Sequence, residues 1–154
     1  MIRKIFVAIL ISIAALASAA FGYLRAQSLS QQDQADIPAY HADAPKLPLP
    51  ATLDPKLFTD TLNQNIYALA ANEKAVLYQQ PCYCHCDREV GHKSLLECYV
   101  DRHASVCSVC KMEAVFAYQQ TKLGKTPAQI REAIMQGKWK EVDMSKYNLP
   151  PAAK

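Results

Sequence analysis

The sequence has no glycine-rich phosphate loop, no Ser-His-Asp pattern and no internal repeat, and glycine itself occurs only 4 times in 154 residues. Those absences remove a phosphate-cradling nucleotide site, triad acyl transfer and a repeat architecture from consideration. An excess of one charge is lacking too: 17 basic residues stand against 14 acidic ones, for a formal charge of +3. Arg3 and Lys4 lie in the opening segment, so the rest of the chain is close to neutral. With no basic patch and no nucleic-acid motif, no nucleic-acid partner is expected. CSVCK, residues 107 to 111, lacks the histidine of a haem-attachment motif. The Cys82/Cys86 spacing fits a dinuclear copper loop, but Val90 and Lys93 stand where that loop requires His and Met. No βαβ pattern surrounds CSVC, which argues against a thioredoxin-like fold.

What is present begins with export. MIRKIFVAILISIAALASAAFGYL pairs two cations with an uncharged apolar run from Ile5 to Leu24. Ala17-Ser18-Ala19 offers a small-x-small cleavage site, the layout of a secretory signal. The run of about 20 residues is also long enough to remain as a membrane anchor, with its basic end in the cytoplasm. Residues 1–24 are therefore read as a signal peptide or an N-terminal anchor. Either way the chain is placed outside the cytoplasmic membrane, periplasmic or tethered, touching the membrane only through that helix if it is uncleaved. No cysteine near Ala19 can accept a lipid.

Residues 25–53, rich first in Gln and Asp and then in proline (38, 45, 48 and 50), read as a disordered linker in extended or polyproline conformations. His41 is expected to be solvated there. Residues 54–140 read as a small all-α domain carrying one cysteine-rich loop, and residues 141–154 as a frayed C-terminal tail. Asp54 before Pro55 predicts a helix start, and Leu57, Phe58, Leu62, Ile66, Leu69 and Ala70 predict one helix from 55 to about 71. Residues 81 to 91 read as loop, and 92 to 100 as a short helix with Leu95, Leu96 and Tyr99 inward. HASVCSVCKMEAVFAYQQTKLG predicts a longer helix ending at Gly124. Thr126-Pro127-Ala128-Gln129 matches a capping box that opens a helix ending near Gly137, after which Trp139 packs back on the domain.

All six cysteines, Cys82, Cys84, Cys86, Cys98, Cys107 and Cys110, and three of the four histidines, His85, His92 and His103, fall between positions 82 and 110. An even count in an exported chain suits a disulfide framework. Two cysteines of an extended C-x-C stand roughly 6.5 to 7 Å apart at Cα, near the limit of an unstrained bridge. Without bridges inside 82–86, each of those three thiols must pair with Cys98, Cys107 or Cys110. A Cys107–Cys110 redox disulfide would then force a bridge inside the triplet. The metal reading uses the same groups as ligands. On a helix Cys107 and Cys110 share a face, and His103 joins them if the helix reaches back that far. Proximity to the helix N-terminus lowers a thiol pKa, which makes Cys107 the better attacking thiol as well as a good ligand. C-x-x-C with further Cys and His suits zinc, and an all-thiolate set suits copper(I). Nine candidates exceed one four-coordinate site, so two ions, or one ion and a disulfide, fit the count. Cys98 also reads as a small buried apolar group. Met112 falls about 200° around the helix from Cys110 and is not expected to bind.

PCYCHC, GHKSLLECYV and HASVCSVCKMEA together resemble the exported bacterial PCYCGC-motif proteins, over about residues 80 to 137. The resemblance implies export and a cysteine-centred domain, and it transfers no catalytic residue, because the group is described as of unknown function. The chain departs from the motif at His85, where the name has Gly. The expectation is an exported zinc- or copper(I)-binding protein, structural or for metal buffering and transfer, more a binder than an enzyme. Its partner would be an exported metal or redox protein. The alternatives are a thiol–disulfide redox protein using Cys107 and Cys110, and a disulfide-stapled interaction module.

Overall fold

A computed structural model of the chain describes residues 36–149. The signal or anchor helix expected over 1–24 lies outside them. The chain divides after Ile37, and the unit that carries the helices begins at Pro38. Among the described residues there are helices and turns but no strand, and no helix is long and apolar enough to cross a membrane.

Asp54 and Pro55 do start a helix, but only a 3-10 turn, Pro55–Leu57, with the Asp54 carboxylate accepting from the Lys56 N–H. The expected helix is interrupted because a second N-cap lies six residues on. Asp60 accepts from the Asn63 N–H at 2.8 Å and begins helix α1, Thr61–Asn72. One turn, α2 (Lys74–Leu77), follows directly. A further turn, α3 (Cys86–Glu89), lies within the segment expected as loop. Residues 92 to 100 hold a 3-10 turn at Glu97–Tyr99 in place of a longer helix, yet Leu95, Leu96 and Tyr99 are fully buried as their pattern required.

The expected helix through His103 and Cys110 is also broken. α4 (His103–Val106) stops at Cys107, whose backbone is extended (φ −103°, ψ 113°), and α5 (Ser108–Lys122) starts anew beyond it. Ser and Val around the junction are weak helix formers, so little local preference opposes the break. Gly124 (φ 74°) follows α5 in the left-handed conformation that ends helices. Thr126 and Gln129 complete the capping box of α6, Pro127–Met135. A turn at Lys138–Glu141 then seats Trp139 against α5 and α6, 7 % exposed.

The core forms where α5 crosses α1. Ile66, Tyr67 and Ala70 of α1 meet Ala114, Val115 and Ala117 of α5, with Leu77, Leu95, Leu96, Ile130 and Ile134 around them. Each fully buried Ile or Leu contributes about 1.5–3 kcal/mol. Tyr67 holds Phe58 on one side (ring centroids 4.2 Å) and the edge of Tyr99 on the other (5.2 Å).

The segment expected as a linker differs from Pro38 onward: it lies on the helical unit as a strap. Pro38 is buried, and the Ala39 N–H donates to Asp87 at 3.0 Å. Tyr40 lies under the Arg131 guanidinium, His41 stacks on Tyr78 at 4.0 Å, and the Leu53 N–H donates to the Tyr99 carbonyl. His41 is thus half-buried and stacked, not solvated. Prolines have no N–H to satisfy, so an extended strap rich in them can lie on a surface with few hydrogen bonds. The tail also departs from expectation: the Asn65 side-chain amide donates to the carbonyls of Tyr147 and Leu149, both at 2.8 Å.

Candidate metal centre

Three local devices bring the thiols together. In PCYCHC, the His85 N–H donates to the Cys82 carbonyl, and His85 adopts the left-handed conformation (φ 59°, ψ 30°). The chain thereby doubles back within three residues and starts α3, so Cys82, Cys84 and Cys86 face a common interior. Next, the Leu95 and Leu96 N–H groups donate to the carbonyls of Gln80 and Leu77. This lays residues 94 to 98 beside 77 to 82 and sets Cys98 against Cys86. Finally, Asp101 accepts from the His103 N–H at 2.7 Å and opens α4, and the extended Cys107 joins α4 to α5. The Tyr99 hydroxyl donates to the Cys110 carbonyl at 2.8 Å, fixing the start of α5.

The resulting sulfur geometry is tight. Cys82 Sγ is 3.4 Å from both Cys84 Sγ and Cys110 Sγ, and Cys84 Sγ is 3.7 Å from Cys110 Sγ. Cys86 and Cys98 are 3.4 Å apart. Cys84 lies 3.4 Å from His103 Nε2, and Cys98 lies 3.5 Å from His92 Nδ1. All six thiols are free. Sulfurs in a disulfide are about 2.05 Å apart. Two thiolates on one tetrahedral zinc, each about 2.3 Å from the ion, are about 3.8 Å apart, and a thiolate and an imidazole about 3.6 Å. The observed spacings sit near the second pattern. Cys84, His103, Cys107 and Cys110 lie mutually within 4.8 Å, and so do Cys82, Cys98 and Cys110; Cys82, Cys84 and Cys86; and Cys86, Cys98 and His103.

Such crowding shapes ionisation. Six neighbouring thiols cannot all be anions, so the proton-keeping members donate to the others. Cys107 is lowered to about 6, first by the Cys110 thiol and against its own burial. Cys98 is lowered to about 4, first by Cys110 and then by Cys82. Cys84 is lowered by the same two partners, while Cys82, Cys86 and Cys110 are raised as the donors. Burial opposes a charge on His103, but the neighbouring Cys84, Cys98 and Cys107 together outweigh it and raise the imidazole. A cation among the sulfurs could take the place of these protons.

Of the residues singled out in the sequence, the six cysteines, His103 and His92 come together. His85 does not join them: its ring meets the edge of Tyr83, and its buried Nδ1 has no hydrogen-bond partner. Met112 packs, half-buried, against the core. Two residues that the sequence pattern does not single out belong here. Asp101 Oδ2 lies 3.3 Å from His92 Nε2, on the far side of the ring from Cys98. Glu113, one helical turn after Cys110, is fully buried. It accepts from the Tyr83 N–H at 2.9 Å, and its second oxygen has no partner. Burial holds its pKa well above the ordinary carboxylate value. The i, i+3 spacing of Cys110 and Glu113 on α5 was the available signal for Glu113, and an aspartate two residues before His103 was the signal for Asp101.

No curated protein and no solved structure matches the chain. The family described as "Protein of unknown function with PCYCGC motif" matches residues 7–150, and the chain belongs to that family.

Proposed function

We propose that this member of the PCYCGC-motif family is an exported metal-binding protein whose cysteines and histidines hold zinc or copper(I). The observation that carries the reading is the set of sulfur–sulfur and sulfur–nitrogen spacings of 3.4–3.7 Å. They are too long for disulfides and close to the edges of a metal coordination polyhedron. Mixed sulfur and nitrogen donors suit zinc, and the triangle of Cys82, Cys84 and Cys110 suits copper(I). The fully buried Glu113, with one oxygen unpartnered, adds a site where nearby positive charge is favourable. Export rests on the charge and apolar pattern of residues 1–24, and the partner would be an exported metal or redox protein.

Elemental analysis of the protein purified from its own compartment, with thiols counted on the same sample, tests this. One or more equivalents of zinc or copper, with thiols masked until a chelator is added, is the expected result. No metal and no free thiol would overturn it in favour of a disulfide module, for which Cys86–Cys98, Cys82–Cys110 and Cys82–Cys84 all stand at 3.4 Å. A second reading, thiol–disulfide exchange, draws on the half-exposed Cys107 at the start of α5 and its lowered pKa of about 6. It predicts no metal and two thiols that cycle under mild reductant.

A further inference from the structure

We infer that the centre holds two ions of unequal lability: an inner, closed site made by Cys82, Cys86, Cys98 and His92, and an outer, exchangeable site made by Cys84, Cys107, Cys110 and His103. The inference rests on the metal-binding reading and adds to it the number of ions and the role of each.

The eight candidate ligands can be divided into two sets of four, and the other compact groups straddle the boundary where the sets meet. Cys84, His103, Cys107 and Cys110 already form a mutual foursome within 4.8 Å. Among the four left, Cys82, Cys86 and Cys98 are each within 4.8 Å of the other two, because every such pair recurs in one of the compact groups. His92 Nδ1, at 3.5 Å from Cys98 Sγ and lining one gap with Cys82 and Cys86, is the imidazole assigned to the second set. No ligand is left over. Cys82 lies 3.4 Å from both Cys84 and Cys110, so the two sets abut through that sulfur.

The sets differ in setting. Cys82, Cys86, Cys98 and His92 are all buried. Pro38 and Ala39 of the strap close over Cys82, Cys86 and His92, together with Ser94, leaving a gap too small for water. His92 turns its other nitrogen to Asp101, the carboxylate–histidine arrangement that fixes ring orientation at metal sites. In the outer set only Cys110 is buried, and Cys84, Cys107 and His103 are half-exposed. An incoming thiolate or chelator can reach those three directly.

Charge selects the inner ion. Three thiolates and a neutral imidazole around a divalent ion leave one net negative charge; around copper(I) they leave two. Burying the second charge without a counter-ion is costly, and the carboxyl buried nearby, Glu113, offers no compensation. The inner site is therefore assigned to zinc, and the outer one, open to solvent, to the ion that is exchanged.

The test uses the full chain loaded with zinc. Native mass spectrometry gives the stoichiometry, and a chromophoric chelator gives the release kinetics. The expected result is two zinc ions, one released directly and the other at least about tenfold more slowly, or only on unfolding. His103→Ala should keep the slow ion and lose the fast one. His92→Ala should speed release of the slow ion while circular dichroism stays helical. A single zinc, or two that leave together, would overturn the two-site assignment while leaving metal binding intact. No zinc at all in the unaltered protein would overturn the assignment, and failure to bind copper(I) as well would remove the metal-binding reading itself.

Discussion

His85 is the one non-glycine residue with positive φ among the described residues. The left-handed conformation costs an ordinary side chain roughly 1–2 kcal/mol, and glycine adopts it freely. The Gly of the family's motif is thus accounted for by the backbone turn that brings Cys86 back toward Cys82. His85→Gly should raise stability by about 0.5–1 kcal/mol, read as a higher urea midpoint, with metal stoichiometry unchanged; a lower stoichiometry would make His85 a ligand. Asp101 acts through another residue. Asp101→Asn should weaken zinc binding about 10–100-fold in a chelator competition, whereas a merely structural role would change the unfolding midpoint and leave the competition unmoved. At this scale the sequence was legible where one residue type clustered: six cysteines inside 82–110 located the centre. It was not legible where a common residue gained its role from position. His85 stands between two cysteines, where a ligand and a loop residue read alike. Asp101 and Glu113 looked like ordinary charges, because only the folded chain brings them to His92 and beneath Tyr83.

Helix boundaries decide how the ligands are presented. The capping box at Thr126 could be read directly, since both of its partners lie within one turn. The breaks at 58 to 60 and at Cys107 could not, because each depends on a choice between two adequate starts. Asp60 prevails over Asp54 as the start of the long helix by accepting from both the backbone and the side chain of Asn63. Asp60→Ala should cost about 1 kcal/mol in denaturant unfolding. The Asn63 N–H is the first cause that lowers the Asp60 pKa. A carboxylate with a folded-state pKa below its unfolded value stabilises fully above the unfolded value, and that contribution is lost as pH falls through the folded one. The gap between the unaltered protein and Asp60→Ala should hold from neutral pH down to about 5 and shrink below about 4, which thermal melts across that range would show. The break at Cys107 has a different outcome. A continuous helix would have set Cys107 and Cys110 one turn apart on a single face. The extended residue instead places Cys107 at the mouth of the centre, half-exposed, with Cys110 buried behind it.

The unit from Pro38 onward is, in its described residues, organised around a middle segment covered from both directions in the chain. The strap from Pro38 arrives on one side, and the C-terminal residues return to α1 through Asn65. Neither was evident in composition, because proline-rich and lysine-rich segments resemble linkers and tails unless their few anchoring groups find partners. The apolar core of α1, α5 and α6 does not depend on the ligands alone. Chelation should therefore lower the melting temperature while leaving much of the helical circular dichroism below it. With free zinc about a thousandfold above Kd, bound metal adds about 4 kcal/mol, a shift on the order of 10 °C or more. Trp139 makes the two events separable by eye. It is the only tryptophan in the chain, and it is buried in a turn that supplies none of the clustered cysteines and histidines. Its emission therefore follows the packing of the last helices, while thiolate-to-metal absorption in the far ultraviolet follows the ions, so one cuvette carries two independent signals.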